Sequence, residues 1–186
     1  MSVLPLIYAP DPILRRKAKR VGKIDASVQR LIDNMIETMY AEEGIGLAAN
    51  QVGVALRILV MGIPFRNEEA DEIRRDEYIL VNPEFVKKSG ERFVEEGCLS
   101  IPGYRGKLNR AEWVKVKGLD RTGKEIRLKA DGIMAQALEH EIDHLDGILY
   151  VDRMEEQGTI DTLGPVAHDE SEETAALQGS SEATGV

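Results

Sequence analysis

The sequence predicts an α+β fold: a single domain of mixed and antiparallel sheets around a central helix that carries metal-ligand residues. Three observations lead there. Two segments repeat apolar residues at helical spacing, several short apolar runs between them read as strands, and the order lacks regular βαβ alternation. A chain of 186 residues with 42% hydrophobic content is long enough to bury one core.

In chain order, the first strong element is a helix over Asp25 to Glu43. Val28, Leu31, Ile32, Met35, Ile36, Met39 and Tyr40 form one stripe, Asp25 or Ser27 caps its start, and Gly44 ends it. Leu56 to Ile63 and Ile79 to Val86 read as strands, and the charged stretch Phe65 to Glu77 between them reads as a turn-like surface insertion. Trp113 to Leu119 and Lys124 to Lys129 form a hairpin pair around Asp120-Arg121-Thr122-Gly123. A second helix spans about Gly132 to Asp146, with Asp131 at its N-cap and Gly147 as its stop. Its inward stripe is Ile133, Met134, Ala137, Leu138, Glu141, Ile142 and Leu145. A carboxylate there is costly unless it is paired or near a metal. Ile148 to Val151 reads as one more short strand. From about Glu156 onward Ser, Thr, Gly, Ala and Glu dominate without periodicity, which predicts disorder.

The domain division is therefore a catalytic body over 1–154 and an acidic tail over 155–186. The whole chain carries −9 and the tail −8 with no Lys or Arg, which leaves −1 for the body. Arg15-Arg16-Lys17-Ala18-Lys19-Arg20 is the one basic run, and it reads as a solvated face, so no direct nucleic-acid contact is expected. No apolar run reaches the roughly 20 residues of a membrane span. The N-terminus lacks the order of charged and apolar regions of an export signal. One cysteine fits a reducing compartment. These readings point to a protein of a reducing, cytoplasmic compartment without a membrane partner.

The chemistry concentrates in Glu139-His140-Glu141-Ile142-Asp143-His144. On a helix, His140 and His144 are i and i+4, so both imidazoles leave one face and reach one divalent metal, with Glu141 beside them to handle a proton. The third ligand is open among His168, an acidic side chain and the sole cysteine. His168 lies in the tail, where no ordered backbone would hold it. Cys98, in Glu96-Gly97-Cys98-Leu99-Ser100, follows a strand in a turn-rich segment suited to present a thiolate, although a lone cysteine is often a small core residue. Gly44-Ile45-Gly46-Leu47-Ala48-Ala49-Asn50-Gln51 reads as a packed turn whose small residues let another backbone approach, with Gln51 offering an amide donor. A metalloprotease would need a downstream folded ligand, and a closed metal-stabilised binding module would need a fourth ligand near Cys98.

These three segments, in this order and with Ala9-Pro10-Asp11-Pro12-Ile13-Leu14-Arg15 upstream, resemble the bacterial and organellar peptide deformylases over roughly residues 4–154. The resemblance implies a hydrolase that removes the formyl group from the N-terminal methionine of new polypeptides. It implies Cys98, His140 and His144 as ligands of one divalent metal, Fe(II) in the cell and Zn, Ni or Co as replacements. A water in the fourth position would attack the formyl carbon, with Glu141 as general base and then acid. Gln51 and the Leu99 N–H would stabilise the oxyanion. The backbone near Ile45, Gly46 and Gly97 would pair with an extended peptide. Val94, Ile133, Ala137 and His140 would line the methionine pocket, with Glu96 close by, and Asp143 would pair with Arg110 to brace the helix. Glu139 replaces a glutamine common in the family and is expected to face solvent. Some members dock on the ribosome through a basic C-terminal helix. The acidic tail here would be repelled by RNA phosphates, so the implied ribosome proximity is transient and not through the tail.

Overall fold

The computed structural model describes residues 2–67 and 72–166. The elements in order are α1 (Ala26–Ala41), β1 (Gly46–Ala48), β2 (Ile58–Asn67), β3 (Glu72–Ser89), β4 (Arg92–Cys98), β5 (Ile101–Arg110), β6 (Trp113–Leu119), β7 (Glu125–Asp131), α2 (Gly132–Leu145), α3 (Tyr150–Gln157) and β8 (Gly164–Pro165). They form two antiparallel sheets, one ordered β1-β2-β3-β6-β7 and one ordered β4-β5-β8. The α+β expectation holds. No helix among the described residues is long and apolar enough to cross a membrane.

Helix α1 starts where Asp25 accepts from the Ser27 and Val28 amides. It buries Val28, Ile32, Met35 and Met39 against Leu47, Ile58, Val60 and Val81, on one face of the large sheet. Tyr40, at the stripe's end, is exposed. Helix α2 covers the other face, where Ala135, Leu138, Ile142 and Leu145 pack with Leu59, Met61, Leu80, Val114 and Val116. Asp131 occupies its N-cap position but makes no side-chain capping bond. Gly147 ends it as expected, at φ +77°, where a Cβ would lie 2.5 Å from the Arg15 carbonyl oxygen. Ile133, placed in the inward stripe by periodicity, is 42% exposed because it faces a cavity.

Three readings are corrected. Phe65 to Glu77 is no irregular insertion: β2 runs to Asn67 and β3 starts at Glu72, with Phe65 opposite Arg74 and Pro64 opposite Arg75. A backbone ladder tolerates these polar residues because both faces of the hairpin's outer part meet water; 68–71 lie outside the described residues. Ile148 to Val151 is not a strand but leads into α3, where Tyr150 and Met154 bury one i, i+4 face and Asp152 accepts from the Leu149 amide at 2.7 Å. The segment from Glu156 to Val166 is ordered. Gln157 accepts from the Asn109 amide at 2.6 Å and donates to its carbonyl at 3.1 Å, Thr162 Oγ1 accepts from the Lys107 amide at 2.8 Å, and β8 pairs with Tyr104 and Arg105. Its acidic residues point outward while these neutral ones cover the β5 edge. Residues 167–186, His168 included, lie outside the described residues.

Candidate metal centre

Helix α2 delivers His140 and His144 one turn apart, and the end of β4 delivers Cys98. Their ligand atoms all lie within 4.8 Å of one another, with Cys98 Sγ 3.2 Å from His144 Nε2. A register shift between Gly97 and Cys98 turns the thiol out of the strand ladder toward the helix. His140 is oriented by Glu96, whose Oε2 is 2.9 Å from Nδ1, so its Nε2 is left for the centre. Burial, reinforced by neighbouring His140, pushes the His144 pKa well below its ordinary value, which favours the neutral form that ligates. Two nitrogens and one sulfur converging from two rigid elements fit a divalent transition metal.

Glu141 is 4% exposed, and its Oε2 has no hydrogen-bond partner among the described residues. Burial raises its carboxyl to about 7. A buried carboxylate with one oxygen left unpaired beside a set of metal donors is awkward as a structural feature and apt for proton transfer. Gly46 lies against it so closely that a Cβ there would collide with the carboxylate. Gln51, 2% exposed, is held by its Oε1 accepting from the Ala48 amide at 2.9 Å. Its Nε2 then points at Cys98 Sγ, 3.7 Å away, and at Ser100 Oγ, 3.3 Å away.

A cavity of about 470 Å³ opens onto this centre. Ile45, Gly46, Glu96, Gly97, Leu99, Ile133 and Ala137 line it together with Gln51, Cys98, His140 and Glu141. Val94 does not: it packs against Leu108, Tyr150 and Met154 as an ordinary core residue. The Asp143–Arg110 pair is present at 2.6 Å, both side chains buried, and Arg110 also clamps Glu96 through two bonds of 2.8 and 2.9 Å. Burial alone would raise the Glu96 carboxyl, but its bonds to His140 and Arg110 outweigh that and hold it at about 2. Sequence reasoning missed Arg153, which reaches both Asp143 oxygens at 2.7 and 3.2 Å from α3 and extends the alternating charges toward His140. Only the later assignment of α3 as a helix would have put Arg153 on the right face. Glu139 does not face solvent: it is 4% exposed, accepting from the Ala111 amide at 2.7 Å and from Lys88 at 2.8 Å.

A partly buried Cys-His-His cluster, an adjacent carboxylate and a cleft bordered by strand edges define a metal-dependent hydrolase. The family model described as polypeptide deformylase matches residues 3–159, and the chain belongs to that family, whose members remove the N-formyl group from nascent polypeptides. A peptide deformylase of Dehalococcoides mccartyi (strain CBDB1) is 54% identical over 165 residues, 89% of this chain and 94% of that protein. The crystal structure of a peptide deformylase from Legionella pneumophila is 39% identical with a TM-score of 0.73, covering 96% of this chain and 99% of that one. A Met-Ala-Ser-bound peptide deformylase from Acinetobacter baumannii is 36% identical with a TM-score of 0.75, covering 82% of this chain and 99% of that one.

Proposed function

We propose that Cys98, His140 and His144 hold one divalent ion, Fe(II) in the bacterial cytoplasm, and that the remaining cavity residues divide the work of formyl hydrolysis among them. The observation that carries this reading is the convergence of the three donors beside Glu141, whose buried Oε2 has no partner among the described residues. Held by Cys98, His140 and His144, such an ion would supply Lewis-acid chemistry to the cavity. Glu141 takes the proton of the attacking water and returns it to the departing amine. Gln51 Nε2 and the Leu99 N–H stabilise the charge that develops on the formyl oxygen. Ile45, Gly46 and Gly97 offer backbone groups to an extended peptide, and Ile133, Ala137 and His140 form an apolar wall for methionine, with Glu96 beneath. The tripeptide bound by the Acinetobacter relative supports a peptide in this cleft.

The test is formate release from a formyl-Met peptide by metal-reconstituted protein, run beside an internally cleavable peptide. Formate without internal cleavage is the expected result, and internal cleavage without formate overturns it. Gln51→Ala is expected to lower kcat by about 10²–10³ while metal content is unchanged. Cys98→Ala is expected to lose the metal, measured by elemental analysis after dialysis; retained metal with full activity would remove Cys98 from the ligand set. A thiolate beside Fe(II) also makes activity sensitive to peroxide, and protection by exchange for Ni or Zn would identify iron as the vulnerable ion. Ribosome proximity is assigned to substrate delivery rather than to the acidic C-terminal residues.

A further inference from the structure

Helix α1 covers its face of the large sheet over β1 and β2, and on that same face the outward residues of β3, β6 and β7 meet solvent. Lys87 lies opposite Lys115, Lys115 opposite Lys129, and Lys117 opposite Arg127. Like charges directly opposite on one face of a sheet cost stability, yet this fold aligns two such rows. Lys87, Lys115 and Lys129 are exposed and make no ion pair among the described residues. Acids flank the first row and enter the second, where Glu84 lies directly opposite Lys117. Glu84 is shared by Lys117 and Arg20, Glu125 pairs with Arg127, and Asp131 lies opposite Trp113. These exposed pairs are weak and leave the face positive in a chain of net charge −9. Trp113 sits at one end of the rows, with Lys87 Nζ and Lys129 Nζ each 5.3 Å from its ring.

Cations in rows with an aromatic ring between them suit a phosphate backbone whose bases can reach a stacking surface. We propose that the β3–β6–β7 face, through Lys87, Lys115, Lys117, Arg127 and Lys129 around Trp113, is a docking surface for RNA, lying outside the catalytic cavity. It departs from the expectation of no nucleic-acid contact, which rested on the run Arg15 to Arg20. Sheet register, not sequence adjacency, gathers this charge.

Trp113 is the chain's single tryptophan, so its fluorescence reports on this face alone. Titrating the full-length protein with a mixed-sequence single-stranded RNA 12-mer should quench it. The plot of log affinity against log salt should have a slope of about −3.5, the value for roughly five neutralised phosphates. The triple variant Lys87→Gln/Lys115→Gln/Lys129→Gln should bind at least tenfold more weakly, with the slope reduced by about 2 in magnitude. Its thermal midpoint should be unchanged or higher, because like-charge pairs are relieved, and its formate release from a free formyl-Met tripeptide should match the parent. Binding is read without catalysis, so its failure is distinct from a failure of the site assignments. Absence of salt-dependent quenching in the parent overturns the proposal. So does parental affinity in the triple variant, or equal affinity and quenching with polyglutamate of matched charge.

Discussion

Glu141→Ala is expected to lower kcat for a formyl-Met peptide by about 10²–10⁴, the usual contribution of a positioned general base and acid. Metal content should be unchanged, because the three donors converge without it. The same loss in Glu141→Gln would show that the proton, and not the side chain's volume, is what matters. Burial, partly offset by the neighbouring His140, raises the carboxyl to about 7. The base works deprotonated, so kcat/KM should fall as pH drops through its apparent value. A bound cation favours the charged form and moves that acid limb below 7. An acid limb in Glu141→Gln identical to the parent's would assign the limb to another group.

Arg110→Leu carries the largest expected loss of stability, about 3–5 kcal/mol, because it leaves two buried carboxylates short of their main partner. Arg153 still serves Asp143, whereas Glu96 retains only His140. For a chain of this size that corresponds to a thermal midpoint lower by roughly 10 °C, measured by calorimetry. The pH dependence has a definite sign. Glu96 is held at about 2 against an ordinary 4.5, so its pairing stabilises the fold fully above 4.5 and is lost as pH falls toward 2. The gap between parent and variant should therefore be widest near neutrality and narrow below about pH 4. A gap that stays constant would mean that Arg110 acts by packing rather than charge.

The helices were legible because each carries enough residues to repeat its period several times, and the β6–β7 hairpin because Asp120 to Gly123 is a strong turn. The candidate ligands were legible from residue type, since Cys98, His140 and His144 have few structural reasons to occur in such company. Other features depend on information that spacing does not hold. The β4–β5 pair contains Gly97, Pro102, Gly103 and Gly106, which blur alternation, so β5 was not foreseen. Glu139 follows the apolar stripe so closely that only its Ala111 and Lys88 partners, from distant elements, make its burial tolerable. The short run Ile148 to Val151 has no period of its own, and the burial of Tyr150 and Met154 against Leu108 decided for helix.

The last ordered stretch also decides where a peptide can join the small sheet. Gln157, Thr162 and β8 occupy the outer rail of β5 with side chains and a two-residue strand. On the inner rail, Gln136 Nε2 takes the Glu95 carbonyl at 2.9 Å, and beyond that point β4 borders the cavity at Gly97. A peptide that pairs as proposed would find one short berth there, beside the candidate metal centre. Coverage of the β5 rail guards against copies of the enzyme stacking into ribbons, and it leaves the β4 side as the rail open to an extended strand.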